Sequence, residues 1–175
     1  LLGHNLIEFD RPHLLAAMPG LRLLALPAVD TLWLNPLAFP RHPYHHLVKH
    51  YQDGGLRRGQ LNDPLLDAQL ALEVFHDQYQ ALLQVNGAAP ELLVAWHWLT
   101  TLDQRVPGLN SFFSTLRRRL RPHAAEARLA MALCVDGRGC PTQAQKILDE
   151  AAQNGWSLAY ALAWLSVAGG NSVMP

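Results

Sequence analysis

Cysteine is almost missing from this chain: Cys134 and Cys140 are the only two, and they form no CxxC pair. That excludes a disulfide framework and points to a reducing, cytoplasmic setting. Charge is sparse as well, at 16% of residues, with 14 Lys and Arg against 14 Asp and Glu. No basic excess advertises a broad nucleic-acid surface, so a nucleic-acid partner would be held at few phosphates, with metal ions supplying local positive charge. No apolar run is long enough to span a bilayer, because residues 158–168 are short and include Tyr160, Trp164 and Ser166. Neither GxxxxGK[ST] nor GxSxG occurs, which argues against a helicase-type ATP loop and a serine-hydrolase elbow. There is no basic leader or signal-type run at the start, and a soluble protein without membrane partners is expected.

What is present is ample apolar material, half of the 175 residues. The opening Leu1-Leu2-Gly3-His4-Asn5 reads as the end of a buried strand running into a polar motif, as expected of a piece of a longer protein. Asp10 can cap a short helix with Pro12 in its first turn and Leu14, Leu15 and Met18 facing inward, stopped by Pro19-Gly20. Residues 23–30 suit strand in a covered sheet, and three prolines in residues 36–43 predict an irregular loop. A brief helix is expected over residues 45–52. Asp63 and Pro64 then start a long helix with the stripe Leu65, Ala68, Leu72, Phe75, Tyr79 and Leu82, ended by Asn86-Gly87. Beyond Pro90 strand signals vanish, and helices are predicted over residues 90–102, 109–120, 122–133, 141–153 and 156–168. The expected class is α/β for the first part, residues 1–86, and all-helical for residues 87–175.

Two carboxylates draw attention. Asp10 sits at a strand-to-helix junction; Asp67 lies one turn inside the long helix, on the face shared with Ala71 and Val74. Each alone has an ordinary structural explanation. Together they lie on different elements, so that they could meet at one sheet edge. Two-metal phosphodiester hydrolysis needs such convergence, with divalent ions about 3.5–4 Å apart held by carboxylates, and hard oxygen ligands select Mg²⁺ or Mn²⁺.

The segment His4-Asn5-Leu6-Ile7-Glu8-Phe9-Asp10 resembles the second motif (HNxxFD) of the DnaQ-like, or DEDD, 3′→5′ exonuclease superfamily. Asp30-Thr31-Leu32 resembles the DTL strand that follows it, His46-Leu47-Val48-Lys49-His50-Tyr51 its next helix, and residues 62–68 the third motif, HxAxxDA. The resemblance covers residues 3–83 and implies a truncated ribonuclease H-like fold. It further implies that Asp10 and Asp67 are metal ligands and that DNA, as a single-stranded 3′ end, is the substrate. It gives Asn62 a contact with the scissile phosphate or attacking water, and places His4, Asn5, Phe9, Arg57 and Arg58 at the nucleic acid. Two departures follow: the Asp-x-Glu motif lies upstream of Leu1, so this chain alone is expected to be inactive, and Asn62 stands where the family has a general-base His. Residues 33–40, 43–49 and 62–64 are similar to bacterial proteins that join such a domain to a RecQ-family DNA helicase, implying a helicase domain in cis and a role in DNA repair or recombination; residues 163–175 resemble the connector. The alternative implied is a catalytically inactive, DNA-binding or docking module.

Other features have plainer readings. His46 and His50 have a spacing that can bind zinc, and with His42 and His45 they form a cluster better read as surface or phosphate-contacting. Arg117, Arg118, Arg119 and Arg121 form a basic helix end, read as a solvated face with DNA contact as the rival. Trp96, Trp98, Trp156 and Trp164 read as packing, and Cys134 as buried and inert.

Overall fold

The structure, a computed structural model, describes residues 1–42, 64–138 and 140–168. Arg57, Arg58 and Asn62, the clustered His45, His46 and His50, and the predicted helix over residues 45–52 lie outside the described residues. Strand β1 (Leu2–Gly3) leads through Asn5 into a π-helical turn, Leu6–Asp10, and helix α1 (Arg11–Ala17). A 3₁₀ turn, Arg22–Ala25, precedes strand β2 (Val29–Asp30) and helix α2 (Thr31–Ala38). Then follow α3 (Pro64–Ala88), α4 (Pro90–Thr100), α5 (Gly108–Arg117), α6 (Ala124–Val135), α7 (Pro141–Asp149) and α8 (Ala151–Ala168). The strands pair in parallel, Leu2 opposite Val29 and Gly3 opposite Asp30. The described chain is thus mostly helical around a minimal parallel ladder.

Several local expectations give way to packing. The strand expected over residues 23–30 shrinks to two residues. Leu23 and Leu26 are exposed, so the apolar run is not a covered one, and only the last part finds a strand to pair with. The loop expected from Pro36 onward begins later, because α2 runs through Pro36 to Ala38. The lost N–H of Pro36 is offset by burial of Leu34, Asn35 and Leu37 and by an N-terminal cap. Leu15 and Met18 are exposed instead of facing inward, and α1 buries no residue at all.

The long helix is present, and the later half of its predicted stripe turns inward: Leu82 is buried, and Phe75 and Tyr79 pack against the core. Leu65 and Leu72 of the apolar stripe are exposed, whereas Ala71, Gln78 and Leu82 are buried. Gln78 joins that inward face: its Nε2 donates to the Thr31 carbonyl and to Asn35 Oδ1, both at 2.8 Å. Asn86-Gly87 does not stop this helix. It ends at Ala88, where Ala89 is forced out of helical geometry before Pro90.

Helix α4 is the hub. Leu92, Leu93 and residues 95–100 are all buried, and α4 packs against α3, α5, α6 and α8. Gly108 begins α5 against β2, where a Cβ would overlap the Ala28 carbonyl. One contiguous core runs from Leu6, Ile7 and Leu34 through Leu82 and Trp96 to Leu162 and Ala163. Trp96 and Trp98 are buried as expected, but Trp164 is 55% exposed. Cys134 is buried, and burial pushes its thiol up to about 12, so it stays protonated.

Candidate functional site

The carboxyl ends of β1 and β2 bring together the residues between Gly3 and Asp10 with those between Asp30 and Asn35. Asp30 organises this end. It is 1% exposed, and its carboxylate accepts the backbone N–H groups of Asn5, Ile7 and Leu32, each at 2.9 Å. The Leu32 bond caps α2; the other two pin the turn that carries Asp10. That turn is unusual backbone. Asn5 has φ of 62°, a left-handed conformation that Asn tolerates better than most residues, and a π-helical turn follows.

Thr31 ties the same end together. Its hydroxyl donates to the Gly3 carbonyl at 3.2 Å, so its oxygen is the acceptor for His4 Nδ1 at 2.9 Å. His4 then carries its proton on Nδ1, leaving Nε2 as the basic ring nitrogen. Below, Gln78 of α3 holds the Thr31 carbonyl, which fixes α3 beside the end of β2.

Asp10 was expected to cap α1, yet its side chain makes no cap bond. The π-helical turn flows into α1 with Asp10 already in helical geometry, so no orphan N–H waits for it. Its carboxyl lies above the ordinary range. Burial is the main cause, the carboxylate of Asp30 adds to it, His13 opposes it, and Asp67 raises it further. Asp10 therefore lies within the electrostatic reach of both carboxylates, one at a strand end and one in the first turn of α3.

Phe9 does not pack into this motif. It is 56% exposed, with its ring 4.5 Å from that of His13. Glu8 points to the helical half, where Arg105 binds it at 2.7 Å. Arg105 also holds Asp103 and lies 4.8 Å from the centre of the Trp33 ring, so the connection from α4 to α5 braces the turn from outside. Among the described residues no group of three or more His, Cys, Asp or Glu side chains is arranged to hold a metal ion.

Asp30, Thr31, Gln78 and Arg105 carry this geometry without having been singled out as site residues. Val29-Asp30-Thr31 did hold a legible signal, an acid just before a helix; Gln78 and Arg105 held none. Comparison with models of protein families, with curated proteins and with solved structures finds no match.

Proposed function

We propose that this chain is the later part of a DnaQ-like 3′→5′ DNA exonuclease domain of ribonuclease H-like architecture, followed by helices that lead to a helicase domain. The observation that supports this reading most is the shared electrostatic field of Asp10, Asp30 and Asp67 at the carboxyl ends of two parallel strands, the end at which open α/β sheets bind ligands.

The residues fit a divalent ion in part. Asp10 and Asp67 are hard oxygen donors suited to Mg²⁺ or Mn²⁺, and a cation would offset the burial and, to a lesser degree, the neighbouring carboxylates that raise Asp10. Asp30 is not a third ligand, since its oxygens are committed to backbone N–H groups. Magnesium is commonly held by one or two carboxylates, with water and substrate phosphate completing its shell. When bound, such ions lower the pKa of water and stabilise the leaving oxygen. The chain's own work is positional: Asp30 and Thr31 hold the turn that presents Asp10, and Gln78 holds the helix that presents Asp67. Asn62 would meet the scissile phosphate or the attacking water, with Arg57 and Arg58 along the strand.

Two features favour a second reading, an inactive module that docks DNA or a helicase. Asn62 cannot take a proton at neutral pH, and two carboxylate ligands are fewer than a two-metal centre uses. Expression of the chain with the segment preceding it in its parent protein, followed by Mn²⁺-dependent digestion of a 3′-labelled single strand, separates the two. Asp67→Asn is expected to slow digestion at least ~100-fold with the melting temperature held. An inert parent protein that still binds DNA sinks the nuclease reading and leaves the module.

A further inference from the structure

A pocket of about 360 Å³ opens between the α4–α5 connection and the segment following α5, lined in part by Thr101, Asp103, Gln104, Asn110 and Arg121. Behind it runs a relay of hydrogen bonds whose direction is fixed at its far end. Arg117, its side chain 4% exposed, has only N–H groups, so its 2.8 Å bond to His97 Nδ1 makes that nitrogen an acceptor. His97 is completely buried and stacked on Phe113. Its Nε2 must then carry the proton and donate to Asn110 Oδ1 at 2.9 Å. With its oxygen engaged in that direction, the Asn110 amide has its NH₂ group left for the pocket.

Arg121 supplies charge. Its Nε donates to Thr101 Oγ1 at 2.7 Å, which sets the guanidinium at the pocket wall, and its two terminal nitrogens bond nothing among the described residues. Asp103 is the one carboxylate of the lining, and it is already matched by the bidentate Arg105. Arg118 and Arg119, exposed in the segment after α5 that also carries Arg121, lie outside the lining. The balance is positive, and the first turn of α5 adds the favourable end of its backbone dipole.

We infer that this pocket binds a phosphate-type oxyanion, gripped by the Arg121 guanidinium and by the Asn110 amide that the Arg117–His97 relay orients. The inference does not rest on the nuclease reading, because none of the carboxylate-site residues lines the pocket. The same chemistry could come from a free phosphate monoester or from a nucleic-acid phosphodiester.

The test is a nuclear magnetic resonance titration of the isotope-labelled 175-residue chain with inorganic phosphate, a deoxynucleoside 5′-monophosphate and a short single-stranded oligonucleotide. Saturable shifts at Thr101, Asn110 and Arg121 are expected. Asn110→Asp keeps an oxygen for His97 but sets a carboxylate where the NH₂ stood, and Arg121→Gln removes the cation; each is expected to weaken binding at least ~10-fold. Both side chains belong to exposed residues, and melting curves verify that the variants fold. Tighter binding of the oligonucleotide than of either small anion assigns the site to a diester, and the reverse order to a free monoester. Shifts that saturate with none of the three probes, or that survive either variant unchanged, overturn the inference.

Discussion

Asp30 and His97 show how single buried polar groups govern this chain. The Asp30 carboxylate receives three backbone N–H groups from two separate segments. Asp30→Asn points an NH₂ at one of those donors, and a loss of about 2–4 kcal/mol is expected in a chemical denaturation series. His97 titrates near 4 in the fold because burial opposes its charged form, against 6.5 in the unfolded chain. Between those values the unfolded chain binds more protons. Stability is therefore full above pH 6.5 and declines as pH falls toward 4, by up to about 3 kcal/mol. Melting curves across that window are expected to show the decline, and His97→Gln to flatten it. Neither set of distant partners was legible beforehand: an acid before Thr31 signals at most a helix cap, not its bonds to Asn5 and Ile7. Nothing within His97's neighbours announces that Asn110 and Arg117 will close on it.

At the scale of elements, α3 shows what periodicity conveys and what it misses. Its existence was legible, since helical spacing depends on residues near in sequence. The expected Asp63 cap lies outside the described residues, and the stop expected at Asn86-Gly87 falls inside the helix. Its inward face was legible in part: Phe75, Tyr79 and Leu82 meet the core as the stripe predicts, whereas Gln78 is polar and enters the core only by pairing with Thr31 and Asn35 of α2. Gln78→Leu leaves Asn35 Oδ1 and the Thr31 carbonyl without that donor, and a cost of about 1–3 kcal/mol is expected in denaturant titrations. A surface change at Leu65 or Leu72, both apolar but exposed, is expected to cost under about 0.5 kcal/mol in the same assay. Helix α2 makes a parallel point: Pro36 signals a break, and the buried neighbours of Leu34 and Leu37 overrule it.

Across the whole molecule, one core joins what the sequence divides near residues 86 and 87. Leu34 and Leu82 of the first part share a cluster with Trp96, Leu99 and Leu162 of the second. Tyr160 donates to the Trp33 carbonyl at 3.1 Å, and Arg41 to that of Val167 at 2.6 Å. A single cooperative melt is expected, with calorimetric and van't Hoff enthalpies in agreement. A fragment ending at Ala88 exposes the apolar face of α3 and α2 and is expected to lose cooperative unfolding altogether; a sharp melt from that fragment would restore two independent units. Among the described residues no helix is long and apolar enough to cross a membrane.

The sequence by itself determined that helices follow Pro64, Pro90 and Pro141 and that strand signals end before Pro90, because prolines and apolar spacing act between near neighbours. Only the tertiary structure decided that Asp30 pins the Asp10 turn, that Gln78 enters the core beside Phe75, Tyr79 and Leu82 while Leu65 and Leu72 stay outside it, and that both parts share one interior. Those outcomes depend on which distant backbone donors and acceptors meet once water is excluded, and a buried polar group is stable only where its partners arrive from elsewhere in the chain.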